Sequence, residues 1–157
     1  VDFNQSAVKL LELYNEMNPD AVMMLGLAQG RQRVTPERIA INVNDGARDN
    51  NGYTPEDDPI DPDGADGYFS TLPIRQFVKT LEQASLPSKI SNTAGTYLCN
   101  NVMYSMLNHL AKTNRQIPAG FVHVPASHDL ALQLHSRVPS WSSVDLIRAI
   151  ELMIGVL

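Results

Sequence analysis

Cysteine is nearly absent from this chain, whose 157 residues include a single one, Cys99. One thiol cannot form a disulfide within the chain, so the composition favours a reducing compartment, and we expect a cytoplasmic protein. Long apolar runs are absent too, since the longest extends only from Ala21 to Ala28. A membrane-spanning helix needs roughly 20 apolar residues, so we expect no membrane partner.

Positive charge is scarce as well. The chain has 12 lysines and arginines against 17 aspartates and glutamates, and its net charge is −5. This balance argues against a nucleic-acid backbone or an anionic membrane surface as the main partner. The histidines lack the spacing of zinc sites, and the acidic residues between Gly46 and Gly67 lack the spacing of an EF-hand loop. We therefore expect no metal site.

The chain does have the composition of a globular protein, with 43% hydrophobic and 18% charged residues. Helical and strand patterns alternate along it. The predicted elements are, in order, a helix over Asn4–Asn18, strands over Ala21–Ala28 and Arg38–Asp45, a polar loop over Gly46–Gly67, a helix from Thr71 to about Ala84, a strand over Lys89–Thr93, a helix from Cys99 to about Lys112, a strand over Phe121–Pro125 and a last helix capped by Ser142 or Ser143. The alternation predicts an α/β fold, a three-layer αβα sandwich around a mostly parallel, mixed sheet, as a single domain over residues 1–157.

Several predicted strands end at residues that could form a site. The continuous apolar run Ala21–Ala28 is typical of a strand covered on both faces. In open α/β sheets, ligands bind where the carboxyl ends of the strands meet. We therefore expect Gly26–Gly30, the loop after Asn44, Gly95–Cys99 and His123–Pro125 to converge at one edge.

Cys99 is the candidate nucleophile. It is predicted to lie in the first turn of a helix, where unpaired backbone N–H groups and the helix dipole favour the thiolate over the thiol. The alternative interpretation is a small buried thiol with no chemical role. Fast alkylation by iodoacetamide near neutral pH would distinguish a reactive thiolate from a structural cysteine.

A cysteine hydrolase also needs a base that moves the proton and a group that orients the base. His123 is the preferred base because it is predicted to lie at the end of a strand; the alternative is a buried histidine bonded to the backbone. At the helical rise, His109 is about 15 Å along the helix from the thiol, and we expect His128 and His135 to face solvent in a loop or short helix. Glu37 is the candidate orienting carboxylate, with a solvated glutamate as the alternative.

Five sequence blocks resemble those of one enzyme family and occur in that family's order. They are Gly26–Arg31, Thr35–Asn42, Tyr68–Ile74, Ser91–Asn100 and Gly120–Pro125. Over nearly its whole length the chain thereby resembles the pyroglutamyl peptidase I, or pyrrolidone carboxyl peptidase, family. The cysteine and histidine blocks are the most specific.

In that family a Glu–Cys–His triad removes an N-terminal pyroglutamyl residue from peptides. The resemblance implies Glu37 as the acid, Cys99 as the nucleophile and His123 as the base. It also implies a cytosolic homotetramer that acts on peptides with an N-terminal pyroglutamate and uses neither metal nor cofactor. The residues are consistent with attack of the sulfur on the pyroglutamyl carbonyl and hydrolysis of an acyl-enzyme thioester.

The resemblance also implies the residues that would contact the substrate. Leu27 stands where the family usually has a glutamine that contacts the lactam ring. Arg48 keeps the arginine that lies near the thiol, but Asp49 replaces an apolar residue that contacts the ring. Tyr97 and Leu98 match positions that line the lactam pocket.

The family's first strand, and a following loop whose phenylalanines cover the ring, have no counterpart here. We therefore expect the chain to be an N-terminally truncated piece of such an enzyme, with weak or no activity. Two other classes stay open. A cysteine enzyme of the glutamine-amidotransferase type would have a glycine two residues either side of the thiol, where this chain has Tyr97 and Asn101. A non-catalytic domain would act in oligomerisation or binding.

Overall fold

Helices and strands alternate along the chain. The computed structural model describes residues 1–134 and 137–157. In chain order its elements are α1 (Ser6–Met17), β1 (Val22–Leu27), β2 (Thr35–Pro36), β3 (Ile39–Ile41), β4 (Gly67–Phe69), α2 (Ile74–Gln83), α3 (Leu98–Lys112), β5 (Ala119–Val124), β6 (Ala126–Ser127), α4 (His128–Gln133), β7 (Ser140–Trp141) and α5 (Ser143–Ile154). The prediction for His135 concerns a residue outside the described ones. Among the described helices, none combines the length and apolarity needed to cross a membrane.

The central sheet has β5 in the middle. β1 pairs with one edge of β5 in parallel, and β2 pairs with the other edge antiparallel. Two further pairs, antiparallel β3–β4 and parallel β6–β7, form separate small sheets. The two ladders of the central sheet place Gly26 on one side of His123 and Thr35 on the other. The predicted α/β fold with a mixed sheet is confirmed.

Helices cover both faces of the central sheet. Successive side chains of a strand point to opposite faces. On β5, Phe121 packs into a hydrophobic cluster with α1 and α3, whereas Val122 packs into a second cluster with α2 and α5. Met24 and Met23 of β1 divide between the two clusters in the same way. Each large side chain buried in this manner stabilises the fold by about 1.5–3 kcal/mol, and the result is the predicted three-layer αβα sandwich.

Strand β1 is less covered than its apolar sequence predicts. Leu25 and Leu27 are 43% and 41% exposed. Among residues 1–134 and 137–157, β1 pairs only with β5 and is therefore an edge strand of the central sheet. The side chains of an edge strand have neighbours on one side only, so they are more exposed than those of a central strand. The prediction of a strand covered on both faces is therefore wrong for the second half of β1.

The strand predicted over Lys89–Thr93 is reduced to isolated contacts. Ser88 bridges to Val34 and Ser91 bridges to Glu37, both in parallel orientation. A parallel ladder uses the N–H of alternate residues; Val34 and Arg38 donate to this segment, but Pro36 between them has no N–H to donate. The segment nevertheless ties the chain before α3 to the residues on both sides of β2.

The predicted strand Arg38–Asp45 ends early with β3, and the polar segment that follows is anchored by side chains. Asn42 donates to the backbone oxygen of Asp61 at 2.7 Å and accepts from its N–H at 2.9 Å. The Asp61 carboxylate accepts hydrogen bonds from Asn108 and Lys112 of α3. These contacts hold the long loop against the helix.

The sequence predicts helix starts at Thr71 and at Ser142 or Ser143. Ser142 caps α5 as predicted, since its hydroxyl accepts from Asp145 N–H at 3.1 Å. The start of α2 differs, because its N-cap residue is Pro73 rather than Thr71. The Thr71 hydroxyl instead accepts from the N–H of Ala119 at 2.8 Å, which joins the segment to β5.

Candidate active site

Cys99 is the second residue of α3, after the N-cap residue Tyr97 and the first helical residue Leu98. The next residue, Asn100, is fully buried and anchors this end of the helix. Its side-chain amide accepts from Ile41 N–H and donates to Ile41 O, both at 2.9 Å. The start of α3, and with it the thiol, is therefore fixed to strand β3.

Glu37 and His123 form a buried hydrogen-bonded pair. His123 lies near the end of β5 and is 5% exposed, and Glu37, directly after β2, is 0% exposed. The imidazole Nδ1 lies 2.7 Å from the carboxylate Oε1. A carboxylate that accepts from Nδ1–H leaves the lone pair of the neutral ring on Nε2, where it can accept a proton. Glu37 is thus not a solvated surface residue.

The thiol lies against the backbone of β1, beside the histidine. A Cβ built on Gly26 would be 3.3 Å from Cys99 Sγ, and Gly26 is the ladder partner of His123. Among residues 1–134 and 137–157, no hydrogen bond joins the Cys99 thiol to the His123 imidazole. Catalytic hydrogen bonds often tighten only when substrate binds, so this arrangement is compatible with proton transfer between the two side chains.

The electrostatic environment of the thiol differs from the prediction. Burial raises the pKa of Cys99, and the Glu37 carboxylate raises it further, whereas Arg31 and a backbone N–H lower it; the net pKa is raised. A helix start typically contributes only about 0.3–1 kcal/mol, while burial disfavours the charged form. The helix start favours the thiolate, as expected, but burial and Glu37 outweigh it, so the net direction of the pKa shift of Cys99 favours the protonated thiol.

Arg31 is the residue of this site that sequence reasoning missed. Its Nη1 donates at 2.7 Å to Oε1 of Glu37, the oxygen that also bonds His123, and donates to the hydroxyl of Thr35. Its Nη2 lies 3.5 Å from the backbone oxygen of Thr93. The sequence does contain one signal for this residue: Arg31 directly follows Gly26–Gly30, one of the segments expected to converge at the edge of the sheet.

Two of the four predicted substrate-binding residues, Tyr97 and Leu98, directly precede Cys99 in the chain. The Tyr97 ring packs edge-on against Phe3, with 5.0 Å between ring centroids. Leu27 follows Gly26 in β1, and because successive strand side chains point to opposite faces, its side chain, 41% exposed, lies on the face of the sheet away from the thiol.

Arg48, another predicted substrate-binding residue, bonds within its own loop. It is exposed, and its Nε donates to the backbone oxygen of Gly52 at 3.0 Å within the same loop. The loop takes this shape because the buried Asp49 carboxylate accepts hydrogen bonds from three backbone N–H groups, one of them at the start of the chain. The arginine whose charge acts on the thiol is Arg31.

The other described histidines lie apart from these residues. His109 packs against the Tyr14 ring, with centroids 5.3 Å apart. His128 is exposed, as expected, and its Nδ1 lies 2.9 Å from the Ser140 hydroxyl. In the described part of the chain, no group of three or more His, Cys, Asp or Glu side chains could hold a metal ion.

One protein family matches the chain from end to end. The family model described as pyroglutamyl peptidase matches residues 1–157. The pyrrolidone-carboxylate peptidase of Oceanobacillus iheyensis is 54% identical over 157 residues, which cover 100% of this chain and 78% of that protein. The enzyme of the same name from Halalkalibacterium halodurans is 50% identical over 155 residues, which cover 98% of this chain and 77% of that protein.

Solved structures agree with this match. The pyrrolidone carboxyl peptidase from Thermococcus litoralis has a TM-score of 0.94 at 38% identity, over 99% of this chain and 73% of that one. The pyroglutamyl peptidase I from Bacillus amyloliquefaciens has a TM-score of 0.89 at 32% identity, over 94% of this chain and 70% of that one. The chain therefore belongs to the pyroglutamyl peptidase family, a family of cysteine peptidases.

Proposed function

We propose that this chain hydrolyses the amide bond after an N-terminal pyroglutamyl residue, with Cys99 as nucleophile, His123 as base and Glu37 orienting the base. The observation that carries the proposal is the buried 2.7 Å hydrogen bond between His123 and Glu37 beside the thiol. A buried carboxylate is costly unless it is paired, and this one is paired with an imidazole. The substrate class follows from the names of the relatives.

Acylation couples the loss of the thiol proton to the attack of the sulfur. His123 Nε2 takes the proton from Sγ of Cys99 as the sulfur bonds to the carbonyl carbon of the pyroglutamyl residue. The oxyanion that forms is stabilised by backbone N–H groups at the start of α3, which point out of the helix end. His123 then gives the proton to the departing amine nitrogen, the C–N bond breaks, and a thioester remains.

Deacylation reverses the roles of the same groups. His123 takes a proton from water, and the oxygen of that water bonds to the thioester carbon. The C–S bond breaks, free pyroglutamate leaves, and the thiolate of Cys99 takes the proton back from the imidazolium. Glu37 keeps the ring in one orientation through both steps and stabilises the imidazolium while it exists.

The lactam ring needs an apolar surface close to the sulfur. We place Tyr97 and Leu98 in that role because they directly precede the thiol, and we propose that Leu27 contacts the ring through its backbone, since Gly26 before it lies against the sulfur. The side chains of Tyr97 and Leu98 would cover the ring methylenes and exclude water from the thioester. Arg48, which bonds its own loop, is not part of this proposal.

The test uses a pyroglutamyl arylamide that releases a chromogenic amine. Cys99→Ala and His123→Ala should each lower the turnover by about 10³-fold or more. His128→Ala is the matched control, because this histidine is exposed and bonds Ser140, and its turnover should equal that of the unmodified chain. Normal turnover in Cys99→Ala would refute the proposal. A folded chain with no turnover would instead favour the alternative, a non-catalytic domain for oligomerisation or binding.

We also propose a cytoplasmic homotetramer. The free thiol of Cys99 suits a reducing compartment. Val144, Ile147 and Ile154 are exposed on α5, at spacings that put them on one helix face, and a second copy would cover them. Light scattering should give four times the chain mass, and Ile147→Glu should give a smaller species. A monomer at high concentration would contradict this assembly.

A further inference from the structure

Arg31 has no part in the chemistry above, yet it contacts the carboxylate that orients the base. Its side chain is 30% exposed, whereas that of Glu37 is 0% exposed. Oε1 of Glu37 receives two donors, Nη1 of Arg31 and Nδ1 of His123, both at 2.7 Å. Oε2 is buried and has no hydrogen-bond partner among residues 1–134 and 137–157. The two donors at Oε1 are therefore the groups that hold this carboxylate.

The guanidinium is itself held in place. Nη1 also donates to the hydroxyl of Thr35, which in turn approaches the backbone oxygen of His123 at 3.4 Å. Nη2 lies 3.5 Å from the backbone oxygen of Thr93, in the segment before α3. The Arg31 backbone N–H closes a turn onto Ala28 O at 3.1 Å, through Gly30 at φ +87°. Arg31 thus joins the segments that carry the acid, the base and the thiol.

The charges of the site balance only with Arg31 included. The ionisable groups that face His123 are Glu37 after β2, Arg31 from the loop after β1, and Cys99 from α3. A buried carboxylate without a cation would strongly favour the imidazolium form of its partner. An imidazolium cannot accept the proton of the thiol. The guanidinium offsets the carboxylate charge and so favours the neutral ring.

We propose that Arg31 is a positioning residue that acts through Glu37: it compensates the carboxylate charge, which favours the form of His123 that can accept a proton, and it holds Oε1 on Nδ1. The kinetic consequence rests on the proposed function. The protonation of the imidazole can be measured without turnover, so the two proposals can fail separately.

The first test is an NMR titration of the His123 ring in the full chain. Arg31→Gln should move the midpoint of ring protonation upward by about one pH unit, because it removes a cation that opposes protonation. The midpoint of Arg31→Lys, which keeps the charge, should lie between those of Arg31→Gln and the unmodified chain. Arg33→Gln is the matched control, since Arg33 is exposed two residues away, and it should leave the midpoint unchanged. An unchanged midpoint in Arg31→Gln would overturn the proposal.

Kinetics give the second readout. In Arg31→Gln the acidic limb of the kcat/KM profile should move upward by the same amount, and kcat near neutral pH should fall about tenfold with little change in KM. A fall in kcat with an unmoved acidic limb would indicate a merely structural residue and overturn the proposal. Absence of turnover in every chain, the unmodified one included, would refute the proposed function but leave the titration decisive.

The variant Glu37→Gln provides a further test in case Arg31→Gln does not fold. In Glu37→Gln a neutral amide replaces the carboxylate and needs no ion pair. If Arg31→Gln alone does not fold, Arg31→Lys is compared in the unmodified chain and in Glu37→Gln, and the shift of the midpoint that it causes should shrink or vanish where no carboxylate charge is left to compensate. An equal shift in both backgrounds would overturn the proposal.

Discussion

Replacing Gly26 by alanine would place a methyl group between the thiol and a core aromatic ring. A Cβ at this position would lie 2.6 and 2.7 Å from two ring carbons of Phe121 and 3.3 Å from Cys99 Sγ. Carbon atoms in good contact are about 3.5–4.0 Å apart. Phe121 is buried in the cluster that also holds α1 and α3, so its ring cannot move away without disturbing that core.

The structure sets the expected magnitudes. Overpacking a core typically costs about 1–3 kcal/mol, and 1 kcal/mol corresponds to roughly 2–4 °C in a chain of this size. We therefore expect Gly26→Ala to lower Tm by about 2–12 °C. The thiol lies on the other side of the new methyl group. A displacement of about 1 Å between reacting groups can cost on the order of 100-fold in rate, so kcat/KM should also fall steeply.

The assay is thermal unfolding together with turnover of the pyroglutamyl arylamide. Gly155→Ala is the control, because a Cβ there would meet its nearest atom at an ordinary 3.5 Å. Adding Phe121→Leu to Gly26→Ala should recover part of the lost stability, since the two changes share one contact and are not additive. A Gly26→Ala chain with unchanged Tm and unchanged kcat/KM would refute this account of how the thiol is placed.

Four further predictions follow from the structure. Because the pKa of the Cys99 thiol is raised by burial and by Glu37, alkylation by iodoacetamide should be slow near neutral pH and accelerate in alkali, whereas a structural cysteine sealed from solvent would react slowly at every pH; Glu37→Gln should move the profile to lower pH, and rapid alkylation at neutral pH or a rate that does not change with pH would contradict this. Asn100→Ala breaks three hydrogen bonds to the backbone of β3 and the residues after it, and urea unfolding should show a loss of about 2–4 kcal/mol. The pKa of Asp61 is lowered mainly by its hydrogen bond from Lys112, so its stabilising effect is full above the unfolded pKa and is lost as pH falls through the folded pKa; Lys112→Gln should flatten the acid side of a Tm–pH curve, and an unaltered curve would count against the contact. Residues 1–157 should unfold in one calorimetric transition, because both hydrophobic clusters share strand β5; two separate transitions would contradict a single domain.

The long, periodic elements of the fold could be predicted from the sequence. Helices α1, α3 and α5 have apolar stripes over 12 or more residues, and β5 is a buried apolar run. Strands β2, β4, β6 and β7 have only two or three residues each, which is too few to show the alternation of apolar and polar residues that identifies a strand. Their pairing is decided by strands distant in sequence, as when Thr35 pairs with His123, and a local pattern carries no information about that.

The candidate site, like the fold, could be predicted from the sequence only in part. Cys99 and His123 could be named because each lies at the end of a recognisable element within a specific sequence block. The raised pKa of the thiol could not be predicted, since it depends on burial and on a carboxylate 62 positions away in the chain. The sequence assigns a role to Arg48 and none to Arg31; both are loop arginines, and only the folded loops decide which of them reaches the Glu37 carboxylate.

The central claim is that a sulfur, an imidazole and a carboxylate act together on a pyroglutamyl group. Its most direct test is mass spectrometry of the full chain, acid-quenched during turnover of a pyroglutamyl ester. We predict one pyroglutamyl adduct, located on Cys99 by peptide mapping, formed at least about 10³-fold more slowly in His123→Ala and at the normal rate in His128→Ala. Turnover without any adduct on Cys99, or an adduct that forms equally fast without His123, would contradict the account.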